Sequence, residues 1–153
     1  MLMVPNGYML ELPQLLERMH RRYLDVVRQE LTKIGARDIN PVQVMMLATI
    51  GQAIEMSVRD LIDRGYYLGS NASYNIKNLT EGGYIERLTD VHDRRSARVR
   101  LTDKGIRVLD HLKEMDEQMA ATLMPDSKLR EEYKTTVNFL RAFERECSGR
   151  IQG

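Results

Sequence analysis

Apolar residues recur along the chain at two periods, and the change between them divides it. Leu12, Leu15, Leu16, Met19, Tyr23, Val26, Val27, Leu31 and Ile34 return every three or four positions. That spacing predicts one long amphipathic helix from about Glu11 to Ile34, closed by Gly35. Asn40-Pro41, a capping residue before proline, opens a second helix to Ile50. Met45, Met46, Leu47 and Ile50 leave it little polar surface. Ser57-Val58-Arg59-Asp60 has the Ser-x-x-acid form of a helix start, with Leu61 and Ile62 inward and Arg64-Gly65 closing. Gly69-Ser70-Asn71 then turns the chain into a helix to Glu81. Its inner stripe is Ala72, Ile76 and Leu79, and its outer face is Ser70, Asn71, Ser73, Tyr74, Lys77 and Asn78.

After Gly82-Gly83 the period falls to two. Tyr84 to Leu88 and Ala97 to Leu101 both alternate, with the polar run 89–96 between them, which predicts an antiparallel hairpin with a projecting tip. Thr102 then caps a long helix to about Leu123, with Ile106, Leu109, Leu112, Met115, Met119 and Leu123 on one side. A last helix runs from about Lys128 to Cys147, and the tail beyond is expected to fray. The fold class is therefore mainly α with a small β-hairpin.

Composition narrows the class. The 153 residues are 42% hydrophobic and 29% charged, the balance of a soluble globular protein rather than a disordered one. No apolar run suffices to span a membrane, and the first eleven residues lack the basic start of a secretory signal. A single cysteine, Cys147, excludes an intramolecular disulfide framework and a multi-cysteine zinc site, which fits a cytoplasmic setting. It lies without a clear basic cluster to activate it, so an inert thiol is expected. His20, His92 and His111 do not form a metal-ligand spacing, and no metal or cofactor is expected. No phosphate-cradling glycine loop or nucleophile–base set is present, so no enzyme is expected.

Charge changes the picture only when it is localised. The net charge is +1, but residues 64–107 hold 9 basic and 5 acidic side chains, a net +4. The flanking stretches are net −1 (1–63) and −2 (108–153). Arg94, Arg95, Arg98 and Arg100 form the densest point. Such a run fits a solvated face. Following a short helix, a turn and a helix with a small polar outer face, it also fits phosphate contact beside a groove-reading helix.

At this point the chain resembles the MarR-type winged helix-turn-helix transcription regulators, over nearly its whole length. The most specific run is Asp90-Val91-His92-Asp93-Arg94-Arg95-Ser96-Ala97-Arg98-Val99-Arg100-Leu101-Thr102-Asp103-Lys104-Gly105, an acidic-Arg-Arg wing followed by Leu-Thr-x-x-Gly. The resemblance implies a winged helix-turn-helix with long dimerisation helices at both ends. It implies a dimerisation helix over 1–36, a DNA-binding lobe over 37–105 and dimerisation helices over 106–153. Asp93 and Arg94 would brace the wing, Arg95 would enter the minor groove, and Arg98 would belong to the same wing site. Ser70, Asn71, Ser73, Tyr74, Lys77 and Asn78 would form the recognition helix. Tyr74 stands where many members carry arginine.

The run 65–75 also resembles an alphaproteobacterial subgroup that includes the regulator of an L,D-transpeptidase gene. That likeness implies a regulon in the cell envelope or stress response.

The partners implied are a double-stranded DNA operator, near-palindromic, and a second copy of the chain; no membrane partner is implied. A helix of 22 residues from Thr102 would be about 33 Å long, more than a small core needs. The homodimer interface would use Leu12, Leu15, Leu16, Leu129, Tyr133, Val137, Leu140 and Phe143. Family members often respond to small ligands, which implies a phenolic or aromatic acid effector at Met19, His20, Tyr23, Met45 and Met46. Methionines at helical spacing equally fit core packing. The alternative function is a winged-helix protein-interaction module without specific DNA binding, its arginines meeting an acidic protein.

Overall fold

Six helices and three short strands follow one another in the computed structural model, which describes residues 10–89 and 97–151. They are α1 (Glu11–Lys33), α2 (Pro41–Ile50), β1 (Met56–Ser57), α3 (Val58–Gly65), α4 (Gly69–Glu81), β2 (Ile85–Thr89), β3 (Ala97–Leu101), α5 (Asp103–Leu123) and α6 (Ser127–Ile151). The chain divides into two compact units, one ending at Leu112 and the other beginning at Lys113, so the boundary falls inside α5.

In the first unit the expected helices form with the expected caps. Asn40 and Gln43 make a reciprocal capping box at the start of α2, and Pro41 occupies its first turn. Ser57 Oγ accepts from the Asp60 amide at 3.0 Å to start α3. The core is built where the patterns place it. Val27 and Leu31 of α1, Val44, Met46, Leu47 and Ile50 of α2, and Leu61 of α3 are buried. So are Ala72, Ile76 and Leu79 of α4.

The expected hairpin pairs from Ile85 against Leu101 to Thr89 against Ala97. It is not alone: β1 pairs antiparallel with the other edge of β3, Met56 against Val99 and Ser57 against Arg98, giving the order β1-β3-β2. Two residues are too few to show an alternation, so no period marks this strand. Met56 and Val99 meet in the core, 2% and 0% exposed.

Two further differences concern the later helices. In α5 Gly105, Val108, Leu112 and Met115 are buried, so Leu112 and Met115 of the expected stripe are in place, while Ile106 of that stripe is 43% exposed. Gly105 fixes this phase: a Cβ there would lie 2.3 Å from the Tyr84 carbonyl oxygen, so α5 approaches the start of β2 as only glycine allows.

In the second unit, α6 begins under an Asp126 cap, whose Oδ1 accepts from the Leu129 amide at 2.9 Å. It continues to Ile151 instead of fraying after Cys147. In this last stretch Ser148 Oγ bonds back to the Glu144 carbonyl and Arg150 pairs with Glu146 at 2.8 Å. No residue of α6 is buried.

Candidate nucleic-acid interface

The turn between α3 and α4 sets the exposed helix. Tyr66 closes α3 with a left-handed backbone (φ 52°), and the Tyr67 amide reaches back to the Ile62 carbonyl at 3.1 Å. The Tyr67 ring occupies the space where a Cβ on residue 65 would sit, 1.9 Å from its Cε2, which explains glycine there. Burial pushes the Tyr67 phenol above its ordinary range, partly offset by a hydrogen bond with the Thr49 side chain. Tyr66 itself is exposed, and so is Leu68, which precedes α4 without a side-chain cap.

With Ala72, Ile76 and Leu79 buried, the opposite face of α4 presents Ser70, Asn71, Ser73, Tyr74 and Lys77, all exposed, and Asn78, half-buried. Tyr74 is 66% exposed. Lys77 lies 4.0 Å from Glu81, a loose pair one turn on.

The flank of the helix is held by a connection that the pattern does not reveal. Gln43 is the buried polar residue of the described core. Its Oε1 accepts from the Asn40 amide at 3.0 Å, and its Nε2 donates to Asn75 Oδ1 at 3.2 Å. One side chain therefore completes the cap of α2 and ties α2 to α4.

Of the expected wing residues, Asp93, Arg94 and Arg95 lie outside the described residues. Arg98 is described: its Nε donates to Glu55 Oε1 at 2.7 Å, across the β1 side of the sheet. Arg100 pairs with Glu86 across the hairpin. Arg87 on β2, not singled out by the sequence pattern, is exposed and has no ion-pair partner among the described residues.

The root of the wing is a compact polar knot. The Tyr84 carbonyl accepts from the Thr102 amide at 3.1 Å. Thr102 Oγ1 donates to the Gly83 carbonyl and accepts from the Gly105 amide. Lys104 Nζ donates to the Gly82 carbonyl at 2.7 Å, lies 4.3 Å above the Tyr84 ring and stands 3.6 Å from Asp38. The Tyr84 hydroxyl holds the Asp38 carboxyl below its usual range, helped by Lys104. Burial, and then Asp38, push the Tyr84 phenol far up.

Beside this knot is a cavity of about 450 Å³, lined by Ile34, Asp38, Tyr84, Lys104, Arg107 and His111, among others. His111 Nε2 lies 2.9 Å from Glu30 Oε2. The Glu30 carboxyl is held low chiefly by Lys33, then by His111. The five residues suggested for an effector are elsewhere: Met19 and His20 are exposed, Tyr23 and Met45 half-buried, and Met46 fully buried. Among the described residues no cluster of His, Cys, Asp and Glu has metal-site geometry, and no helix is long and apolar enough to cross a membrane. Cys147 is exposed and unpaired by disulfide.

A polar-faced helix after a tight turn, beside a three-stranded wing, defines a winged helix-turn-helix. Residues 39–105 match the family of winged helix DNA-binding domains. Over 95 residues the chain is 52% identical to the exopolysaccharide II synthesis transcriptional activator ExpG of Rhizobium meliloti (strain 1021). The match covers 62% of this chain and 48% of that protein, so the chain spans about half the length of this relative.

Among solved structures it is similar to a MarR transcriptional regulator from Methanosarcina mazei Go1, with 20% identity and a TM-score of 0.75 over 88% of this chain and 96% of the other. It is similar also to Streptococcus pneumoniae FabT in complex with DNA, with 21% identity and a TM-score of 0.70 over 88% and 96%. The fold is thus that of the MarR regulators.

Proposed function

We propose that this protein is a sequence-specific double-stranded DNA-binding transcription regulator, acting as a homodimer on near-palindromic operators. The observation that carries the reading is the outer face of α4, small and polar, set on a fully buried inner stripe beside the wing. Ser70, Asn71, Ser73, Tyr74, Lys77 and Asn78 meet the major groove, and Asp93, Arg94, Arg95 and Arg98 form the wing contact. Residues 37–105 are the DNA-binding lobe. The stretches 1–36 and 106–153 dimerise through Leu12, Leu15, Leu16, Leu129, Tyr133, Val137, Leu140 and Phe143. The dimer reading is supported by exposure: none of these eight is buried in the single chain.

A small-molecule effector modulates DNA binding. The cavity at the wing root supports this, because its lining Tyr84 begins the segment that leads into β2. The regulon lies in the cell envelope or its surface polysaccharides, a reading supported by the exopolysaccharide activator among the relatives.

The test is a mobility-shift titration with fragments of the protein's own promoter region and a scrambled competitor, at two salt concentrations. A shift specific to one fragment, weakened by Arg95→Ala, is expected. No specific shift would favour a protein-interaction module, and an unchanged affinity for Arg95→Ala would overturn the wing contact.

A further inference from the structure

We infer that the core of each operator half-site is A·T, read by the Tyr74 ring against the C5-methyl group of a thymine. The inference rests on the DNA-binding reading above and specifies what the helix recognises. A guanine in the major groove is best read by a bidentate arginine or by a lysine. No arginine occurs anywhere in α4, from Gly69 to Glu81. Its single cation, Lys77, stands one turn beyond Tyr74 toward the helix C-terminus and keeps Glu81 within 4.0 Å. A guanine-directed core therefore lacks an arginine reader and is left with Lys77 alone.

Beside its small polar groups the helix offers one large apolar surface, the Tyr74 ring. Ser70, Ser73, Tyr74 and Lys77 share one stripe by spacing, opposite the buried Ala72, Ile76 and Leu79. Tyr74 is the large side chain at its centre, 66% exposed, and its hydroxyl has no partner among the described residues. Long side chains on a helix lean toward its N-terminus, and at that end Leu68 is 72% exposed. The outer face thus carries an exposed aromatic ring where a groove edge would be met. The apolar group that bases present along the major-groove edge is the thymine methyl. Asn71, exposed on the adjoining line, suits the N6 and N7 of an adenine.

The experiment selects duplexes from a random-core library with the full chain. Each thymine of the enriched core is then replaced by deoxyuridine, which removes only the methyl group. We expect A·T-rich cores and one thymine per half-site where uracil weakens wild-type binding about fivefold, the worth of a methyl-sized apolar contact. Tyr74→Ala should bind more weakly and be indifferent to uracil there. Tyr74→Phe should keep the uracil sensitivity, because the ring and not the hydroxyl makes the contact.

Enriched G·C cores would overturn the inference while leaving DNA binding intact. So would a uracil effect equal in wild type and Tyr74→Ala, or a Tyr74→Phe variant as weak as Tyr74→Ala. A library yielding no enriched duplex would instead defeat the DNA-binding reading itself. Unchanged thermal unfolding of both variants, expected for so exposed a position, separates contact from folding.

Discussion

The Tyr84 hydroxyl donates to Asp38 Oδ1 at 2.5 Å, binding the root of the wing to the segment that follows α1. The bond joins positions 46 residues apart. It is charge-assisted, yet Asp38 is half exposed, which reduces its worth.

Tyr84→Phe keeps the buried ring and removes this bond alone. We expect a loss of about 1 kcal/mol in denaturant unfolding at neutral pH. The pH dependence identifies the cause. The folded-state pKa of Asp38 lies below its unfolded value. The bond therefore contributes fully above an unfolded pKa of about 3.9, and its contribution is lost as pH falls through the folded value. Wild type and Tyr84→Phe should converge in stability across that acid range. A gap that persists at low pH would show that the hydroxyl acts through something other than the Asp38 carboxylate.

Gly105→Ala places a methyl group 2.3 Å from a backbone oxygen that cannot swing aside. We expect a loss of about 1–3 kcal/mol from forced displacement, together with weaker DNA binding, since the displaced residue leads into β2. Gly69→Ala is the matched control, with nothing within 4 Å of the added carbon. It should be neutral or stabilising by about 0.4–1 kcal/mol. Thermal melts of the two variants side by side check both.

Gln43 and Asn75 should behave as one unit. Gln43→Ala removes part of the α2 cap and the tie to α4, and Asn75→Ala leaves a buried amide donor without its acceptor. Each is expected to cost about 1–3 kcal/mol. The double variant should cost clearly less than the two losses added together. Strict additivity of denaturation midpoints would show that the 3.2 Å contact carries no energy.

Phe143→Asp and Val137→Asp introduce a charge on the apolar line of α6, where no residue is buried in one chain. Light scattering should show a shift from dimer to monomer, and unfolding should lose its dependence on protein concentration. A variant that remains dimeric would place the interface elsewhere.

How much of this was legible follows the range of the interactions. The caps at Asn40 and Ser57, and the inner stripe of Ala72, Ile76 and Leu79, depend on neighbours within a turn or two, and the sequence pattern locates them directly. The Gln43–Asn75 tie spans 32 residues, and nothing local distinguishes this glutamine from a solvated one. β1 is invisible because two residues have no period. In α5 the pattern locates Leu112 and Met115, but Ile106 looks like core until Gly105 is seen against the Tyr84 carbonyl. The sequence ends α6 near Cys147 because terminal residues ordinarily fray, whereas the helix runs on to Ile151.

The strand arginines bear on how the protein would search a chromosome. Arg98 and Arg100 each already face a carboxylate, Glu55 and Glu86. A cation so engaged displaces few counterions when it nears a phosphate, so it adds little to the salt-sensitive, sequence-blind part of affinity. Half of the four-arginine cluster is thereby muted. A DNA-binding lobe built this way would dwell briefly on random sequence and leave it readily, with residence time reserved for sites whose shape and base edges it fits.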